Sequence, residues 1–293
     1  MRNALVLNRL LRTTILTTSL LFTAHLACAQ GTAIEPCQDT PAPKAGVVTK
    51  VGEKASQTLI DSSIPNDPEV VKLLANYSDK VRALSTVIGT LDGTLTKGSV
   101  GAGTLGHFVT DAMLSEARRK SAKPIAVSIS NAGGLRKNDI AEGPLRASDI
   151  FELMPFENEL ITLDLTGEQL KKLLQIGTRD AQAGAQIEYR WNEQNRTEVL
   201  STKLLNAKGE ALEIDPKSTY TIVTIDYLYK LNSGAYALLR EGKNLTNLNL
   251  TIRDGVIDYI KSETAAGRHI KSRTDNRYVQ IGPGPVKQET PPQ

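Results

Sequence analysis

The hexapeptide Asn131-Ala132-Gly133-Gly134-Leu135-Arg136 combines residue types that a small anionic ligand needs. An apolar run, Ile125 to Ile129, leads into it and reads as a buried strand. Two adjacent glycines at the end of that strand permit a positive φ and a close approach of backbone to ligand. Arg136 adds a planar fork of donors matched to phosphate or carboxylate. Taken alone, the same residues also describe a tight turn with a solvated arginine, because short motifs recur by chance. Phe156 offers a flat apolar face in a chain with only 4% aromatic residues. Pro155 before it and Glu157-Asn158-Glu159 after it give it a polar loop setting. A core position is the plain alternative.

Other chemistries find little support. The 293 residues include three histidines, His25, His107 and His269, too few for a dinuclear hydrolytic centre, which draws several imidazoles and carboxylates onto two ions. His107, on a predicted helix with no second imidazole nearby, reads as a structural histidine. No Ser-His-Asp or Cys-His arrangement is recognisable, and Asp139 with Glu142 has no matched acid and base setting. The formal charge of +3 comes from scattered lysines and arginines, which gives no electrostatic case for nucleic-acid binding.

Arg2, Arg9 and Arg12 precede an apolar stretch, Thr13 to Leu26, closed by Ala27-Cys28-Ala29, in the order of a secretory signal peptide. Residues 1–29 are therefore expected to be removed, leaving a periplasmic or secreted product; lipoprotein processing at Cys28 is the alternative, but His25-Leu26-Ala27 matches its pattern poorly. That stretch is short and threonine-rich for a membrane span, and no later run is long enough for one. Cys37 would then be the only cysteine, so stability must come from the core. Residues 30–50 read as a flexible leader and residues 282–293 as a disordered Pro-rich tail.

The folded part must lie between them. Asp67-Pro68 followed by Val70, Val71, Leu73 and Leu74 predicts a helix with an Asp cap and proline in its first turn. Leu105, Phe108, Val109, Ala112 and Met113 share one helical face. Thr166 and Gln169 form a capping-box pattern ahead of Leu170, Leu173 and Leu174, and Val256, Tyr259 and Ile260 predict a last helix. Strands are expected at Ile125–Ile129, Leu160–Leu165, Gln186–Trp191, Glu198–Asn206 and Tyr220–Ile225. With no parallel crossover series, this is an α+β pattern, read as a single mixed sheet with amphipathic helices packed on it.

From Val51 to Ile281 the chain resembles the C-terminal, substrate-binding domain of the 5′-nucleotidase family, with residues 51–92 as a hinge-like helix and leading strand. That family has an N-x-G-G-[IL]-R turn, a P-F-x-N loop and a T-G-x-x-L helix. Here Asn131 to Arg136, Pro155-Phe156-Glu157-Asn158 and Thr166-Gly167-Glu168-Gln169-Leu170 stand in the same order. The resemblance implies a substrate site made of Asn131, Gly133, Gly134, Arg136, Phe156, Asn158 and Tyr227. Phe156 and the tyrosine of Asp226-Tyr227-Leu228 would sandwich a nucleobase. It also marks departures. Lys97 is the only cation where the family carries arginines before its L-G-N helix, and the aspartate of its G-G-D-G-Y loop is missing from Asn232-Ser233-Gly234-Ala235-Tyr236.

The family's metal-binding motifs are absent from this sequence. No cofactor is therefore expected in this chain, and divalent metals only in a separate metallophosphatase partner. The expected role is binding of a nucleotide or nucleoside in a hydrolase family, with hydrolysis left to that partner; no nucleic acid and no membrane span are expected. A degenerate module that keeps the fold without nucleotide affinity is the alternative.

Overall fold

A computed structural model describes residues 61, 63–231 and 233–286. The segments read as signal peptide and leader, and residues 287–293 of the tail, lie outside the described residues.

Helix α1 (Pro68–Leu84) starts where expected: the Asp67 carboxylate accepts from the backbone N–H groups of Glu69 and Val70 at 2.8 and 3.2 Å, and Pro68 occupies the first turn. Its apolar residues Val70, Leu74, Tyr77 and Val81 remain exposed. The chain continues through β1 (Val87–Asp92), β2 (Leu95–Thr96), α2 (Gly103–Lys120) and β3 (Ile125–Ser130) to a short 3-10 turn over Ala132–Gly134. Then come β4 (Asp139–Ile140), β5 (Gly143–Arg146), α3 (Ala147–Leu153), β6 (Glu159–Thr166), α4 (Gly167–Leu174) and β7 (Ala181–Ala183). The hairpin β8 (Ala185–Trp191) and β9 (Thr197–Leu205) is followed by β10 (Ala211–Glu213), β11 (Thr219–Ile225) and α5 (Asp226–Leu231). Last are β12 (Lys243–Thr251), α6 (Ile252–Ala265), β13 (Ile270–Lys271) and β14 (Tyr278–Gln280).

The α+β class holds, but the strands divide among four sheets rather than one. The largest has five strands in the order β12-β6-β11-β3-β7; the others are β10-β9-β8-β14, β13-β1-β5 and β2-β4. Gly184 shows why one sheet becomes two. It joins β7 to β8 at φ +90°, and a Cβ there would lie 2.1 Å from the carbonyl oxygen of Ala126. Only glycine makes this corner, which turns the chain from the five-stranded sheet into the four-stranded one.

The predicted face of α2 is the buried one: Leu105, Phe108, Val109, Ala112 and Met113 are all buried. It packs on β3 and β7 and against α6, with the rings of Phe108 and Tyr259 6.5 Å apart. Thr166 and Gln169 form the predicted capping box at the start of α4.

Asp164, buried on β6, binds the five-stranded sheet laterally. Its carboxylate accepts from Lys123 Nζ at 2.7 Å, from Thr221 Oγ1 on β11 at 2.6 Å and from Asn244 Nδ2 on β12 at 2.7 Å. Burial opposes the charge, but these three donors outweigh it and hold the carboxyl below the usual aspartate range. A depressed carboxylate contributes its stability above the unfolded value of about 3.9 and loses it as pH falls through the lower folded value. Asp164→Asn is expected to cost about 1 to 3 kcal/mol at neutral pH. The gap from wild type should narrow below about pH 4, measured by urea unfolding at both pH values.

Candidate functional site

Strand pairing brings three loops to one end of the five-stranded sheet. Strand β3 runs parallel to β11, with Val223 opposite Ser128, and β11 is antiparallel to β6, with Ile225 opposite Leu160. The turn after β3, the Pro155–Asn158 loop before β6 and the Asp226-Tyr227 start of α5 therefore all leave the sheet on the same side. For the parallel pair this is the carboxyl end, where open α/β sheets usually hold ligands.

The turn is closed by Gly134 N–H on Asn131 O at 3.1 Å and Leu135 N–H on Ala132 O at 3.3 Å, and Arg136 N–H donates to Leu153 O at 2.8 Å. Neither Gly133 nor Gly134 takes a positive φ, so the expected backbone freedom is not why they are there. Instead a Cβ on Gly133 would lie 3.3 Å from Asn131 Nδ2, and one on Gly134 3.4 Å from Asn131 Oδ1. The missing Cβ of Gly133 leaves room for the Asn131 amide, whereas one on Gly134 would make an ordinary contact. Asn131 Oδ1 is buried there without a hydrogen-bond partner among the described residues. Lys97 Nζ donates to Leu135 O at 2.6 Å, so the cation expected to meet a ligand also braces the turn.

Gly134, Leu135, Met154, Phe156 and Asn158 line a narrow depression. Phe156 is 40% exposed and Tyr227 45%, so neither ring is core. The rings do not touch; their loops are linked by Glu159 N–H on Asp226 Oδ1 at 3.0 Å. The Arg136 guanidinium carbon lies 5.9 Å from the Phe156 ring centre, placing a positive fork beside an aromatic face. The loop is held from below: Asn158 O accepts from Ile252 N–H at 2.8 Å, and Glu157 accepts from buried Arg253, itself 4.2 Å over the Phe151 ring. All seven predicted residues thus lie on the three loops at this end, with Gly134, Phe156 and Asn158 lining the depression.

Asp180 is the residue that sequence reasoning missed. It lies just before β7, in a segment with no periodicity to point to it. Its Oδ1 accepts from Ala132 N–H at 2.8 Å and its Oδ2 from the Tyr236 hydroxyl, while its backbone carbonyl accepts from Tyr278 at 2.6 Å. Burial, reinforced by the Asp180 charge, pushes the Tyr236 hydroxyl far above its ordinary range, and burial does the same to Tyr278. Both stay protonated donors. The loop that lost its own aspartate therefore still meets a carboxylate, through Tyr236.

His107 is buried and stacked on Tyr278, ring centres 5.7 Å apart; burial and then the nearby Arg277 charge lower its pKa, favouring the neutral ring. His269 pairs with Asp92 at 2.9 Å. Among the described residues no group of three or more His, Cys, Asp or Glu side chains could hold a metal ion, and no helix is long and apolar enough to cross a membrane. The donors present do not fit a dinuclear centre.

The family described as 5′-nucleotidase, C-terminal domain matches residues 85–240. The trifunctional nucleotide phosphoesterase protein YfkN of Bacillus subtilis is 28% identical over 228 residues, 73% of this chain and 15% of that protein. The NAD 5′-nucleotidase of Haemophilus influenzae is 26% identical over 185 residues, 56% of this chain and 30% of that one. Among solved structures, the 5′-nucleotidase precursor from Thermus thermophilus superposes with a TM-score of 0.60 at 21% identity, covering 72% of this chain and 42% of that chain. The chain thus spans less than half the length of these relatives, and the structural likeness shows the shared fold.

Asp180→Ala would leave the Tyr236 hydroxyl and the Ala132 N–H without their partner. The expected loss is about 1 to 3 kcal/mol, and Asp180→Asn, which keeps one acceptor, should lose less; urea unfolding of both variants measures the order.

Proposed function

We propose, on the premise that this chain belongs to the 5′-nucleotidase C-terminal domain family, that it binds a nucleotide or nucleoside in the periplasm or outside the cell and takes part in nucleotide hydrolysis by presenting that ligand to a separate metallophosphatase. The observation that carries the reading is the placing of two exposed aromatic rings, Phe156 and Tyr227, with Arg136 and Asn158 on neighbouring loops at one end of the five-stranded sheet. Large apolar rings left in water are stabilised when something covers them, and Phe156 lines the depression. A purine or pyrimidine matches their shape. Stacking would hold the base, Asn158 its polar edge, and Arg136 the anionic side of the ligand.

The described residues bring together no metal-binding group. In this reading the chain contributes orientation, and the metal-activated nucleophile comes from the partner. Orientation is a large part of the barrier in reactions between bound groups, so such a division is chemically sound.

Phe156→Ala and Tyr227→Ala should each weaken adenosine binding by about 1 to 3 kcal/mol, the range for one stacked base. Titration calorimetry on wild type and both variants measures it. Absence of any adenosine or adenosine monophosphate binding at millimolar concentration would replace this reading with that of a module that keeps the fold alone. The purified chain, with or without divalent ions, should release no phosphate from nucleoside monophosphates until a metallophosphatase is added.

A further inference from the structure

The Asn131–Arg136 turn has two sides. Gly134 and Leu135 face the aromatic depression, whereas Ala132 lies on the wall of a wider, open cleft of about 720 Å³. Three cations line that cleft, Lys97, Arg179 and Arg196, and no Asp or Glu does. The contrast with the cavity of about 450 Å³ beside α2, α6 and β13 is sharp. There Arg268 pairs with Glu263 and Arg273 with Asp111, so both arginines meet carboxylates. In the cleft the Arg179 and Arg196 side chains make no ion pair or hydrogen bond among the described residues, and Lys97 donates a single bond, to Leu135 O.

The backbones that carry these cations are pinned. Thr178 O and Arg179 O accept from the N–H groups of Gly101 and Ala102 at 2.6 and 3.1 Å. Arg196 N–H donates to Asn192 Oδ1 at 3.0 Å, and Asn192 N–H returns to Arg196 O at 2.9 Å, closing the β8–β9 turn. A hydroxyl pair, Thr178 Oγ1 to Thr197 Oγ1 at 2.9 Å, joins the two arginine-bearing segments. Two exposed guanidinium forks on pinned backbone, with Lys97 lining the same cleft, form an electrostatic site for a multiply charged oxyanion.

We infer that this cleft is an anion subsite for phosphoanhydride groups, extending the ligand of the neighbouring depression from a nucleoside or its monophosphate to pyrophosphate-bearing forms. The inference builds on the function proposed above but concerns different residues.

Trp191, the only tryptophan of the chain, lines the same cleft and reports its occupancy by fluorescence. Inorganic pyrophosphate titrated into the full chain should change Trp191 emission saturably. The double variant Arg179→Ala/Arg196→Ala should weaken pyrophosphate and ADP by about tenfold or more, the size of losing charge-assisted hydrogen bonds, with adenosine affinity held within about twofold. Arg179→Lys/Arg196→Lys should recover part of the loss, and circular dichroism with thermal unfolding shows that each variant is folded. No Trp191 response to millimolar pyrophosphate, or equal affinity in wild type and the double alanine variant, overturns the subsite. Pyrophosphate binding that depends on both arginines while adenosine fails to bind supports the subsite and overturns the function proposed above. Adenosine binding with no arginine-dependent pyrophosphate binding does the reverse.

Discussion

The carboxylate of Asp180 is the constraint on which the site's shape rests. One oxygen takes the N–H of Ala132, at the head of the glycine turn, and the other takes the hydroxyl of Tyr236, from the 3-10 segment after α5. The same residue's carbonyl receives Tyr278, whose ring stacks on His107 of α2. Three parts of the chain, far apart in sequence, thus meet on a single side chain and its peptide group. Hydrogen bonds to a charged acceptor are stronger than neutral ones, and burial keeps the Tyr236 donor protonated. Without this knot the turn would keep only its Arg136 N–H bond to Leu153 O and its Lys97 brace.

What could be read from the sequence was whatever has a local cause. Helix α1 begins at Asp67-Pro68, α4 begins at the Thr166-Gln169 capping box, and α2 buries the face its periodicity predicts, because caps and apolar spacing act within a few residues. Five strands were likewise placed by their apolar content. Strand β12 escaped because it is polar and irregular: Asn244 and Asn249 take positive φ, and its pairing with β6 shifts register twice. The division into four sheets was invisible for a related reason. It turns on corners such as Gly184, whose need for glycine arises from the distant Ala126 carbonyl and not from its neighbours.

The site divides along the same line. The seven predicted residues fall at one end of one sheet, a placement that the strand pairing imposes and that no single motif encodes. The motif did not encode the purpose of its own glycines. Neither Gly133 nor Gly134 takes a positive φ, and Gly133 serves by omission, leaving space for Asn131. Asp180, Arg179 and Arg196 were missed altogether. Asp180 bonds partners from separate segments and the two arginines line a cleft assembled from separate segments, so their types and spacing along the chain carry no signal.

The Asn131–Arg136 turn is a shared wall, with Gly134 on the depression and Ala132 on the cleft. It is only a 3-10 turn thick, and close-packed groups transmit displacement rather than absorb it. Occupancy on one face would therefore be felt on the other, and thermodynamics fixes the form of that influence: whatever factor an anion in the cleft applies to base affinity, the base must apply to anion affinity. Two ligand fragments on opposite faces of this turn would act as mutual effectors, each setting the other's apparent concentration requirement.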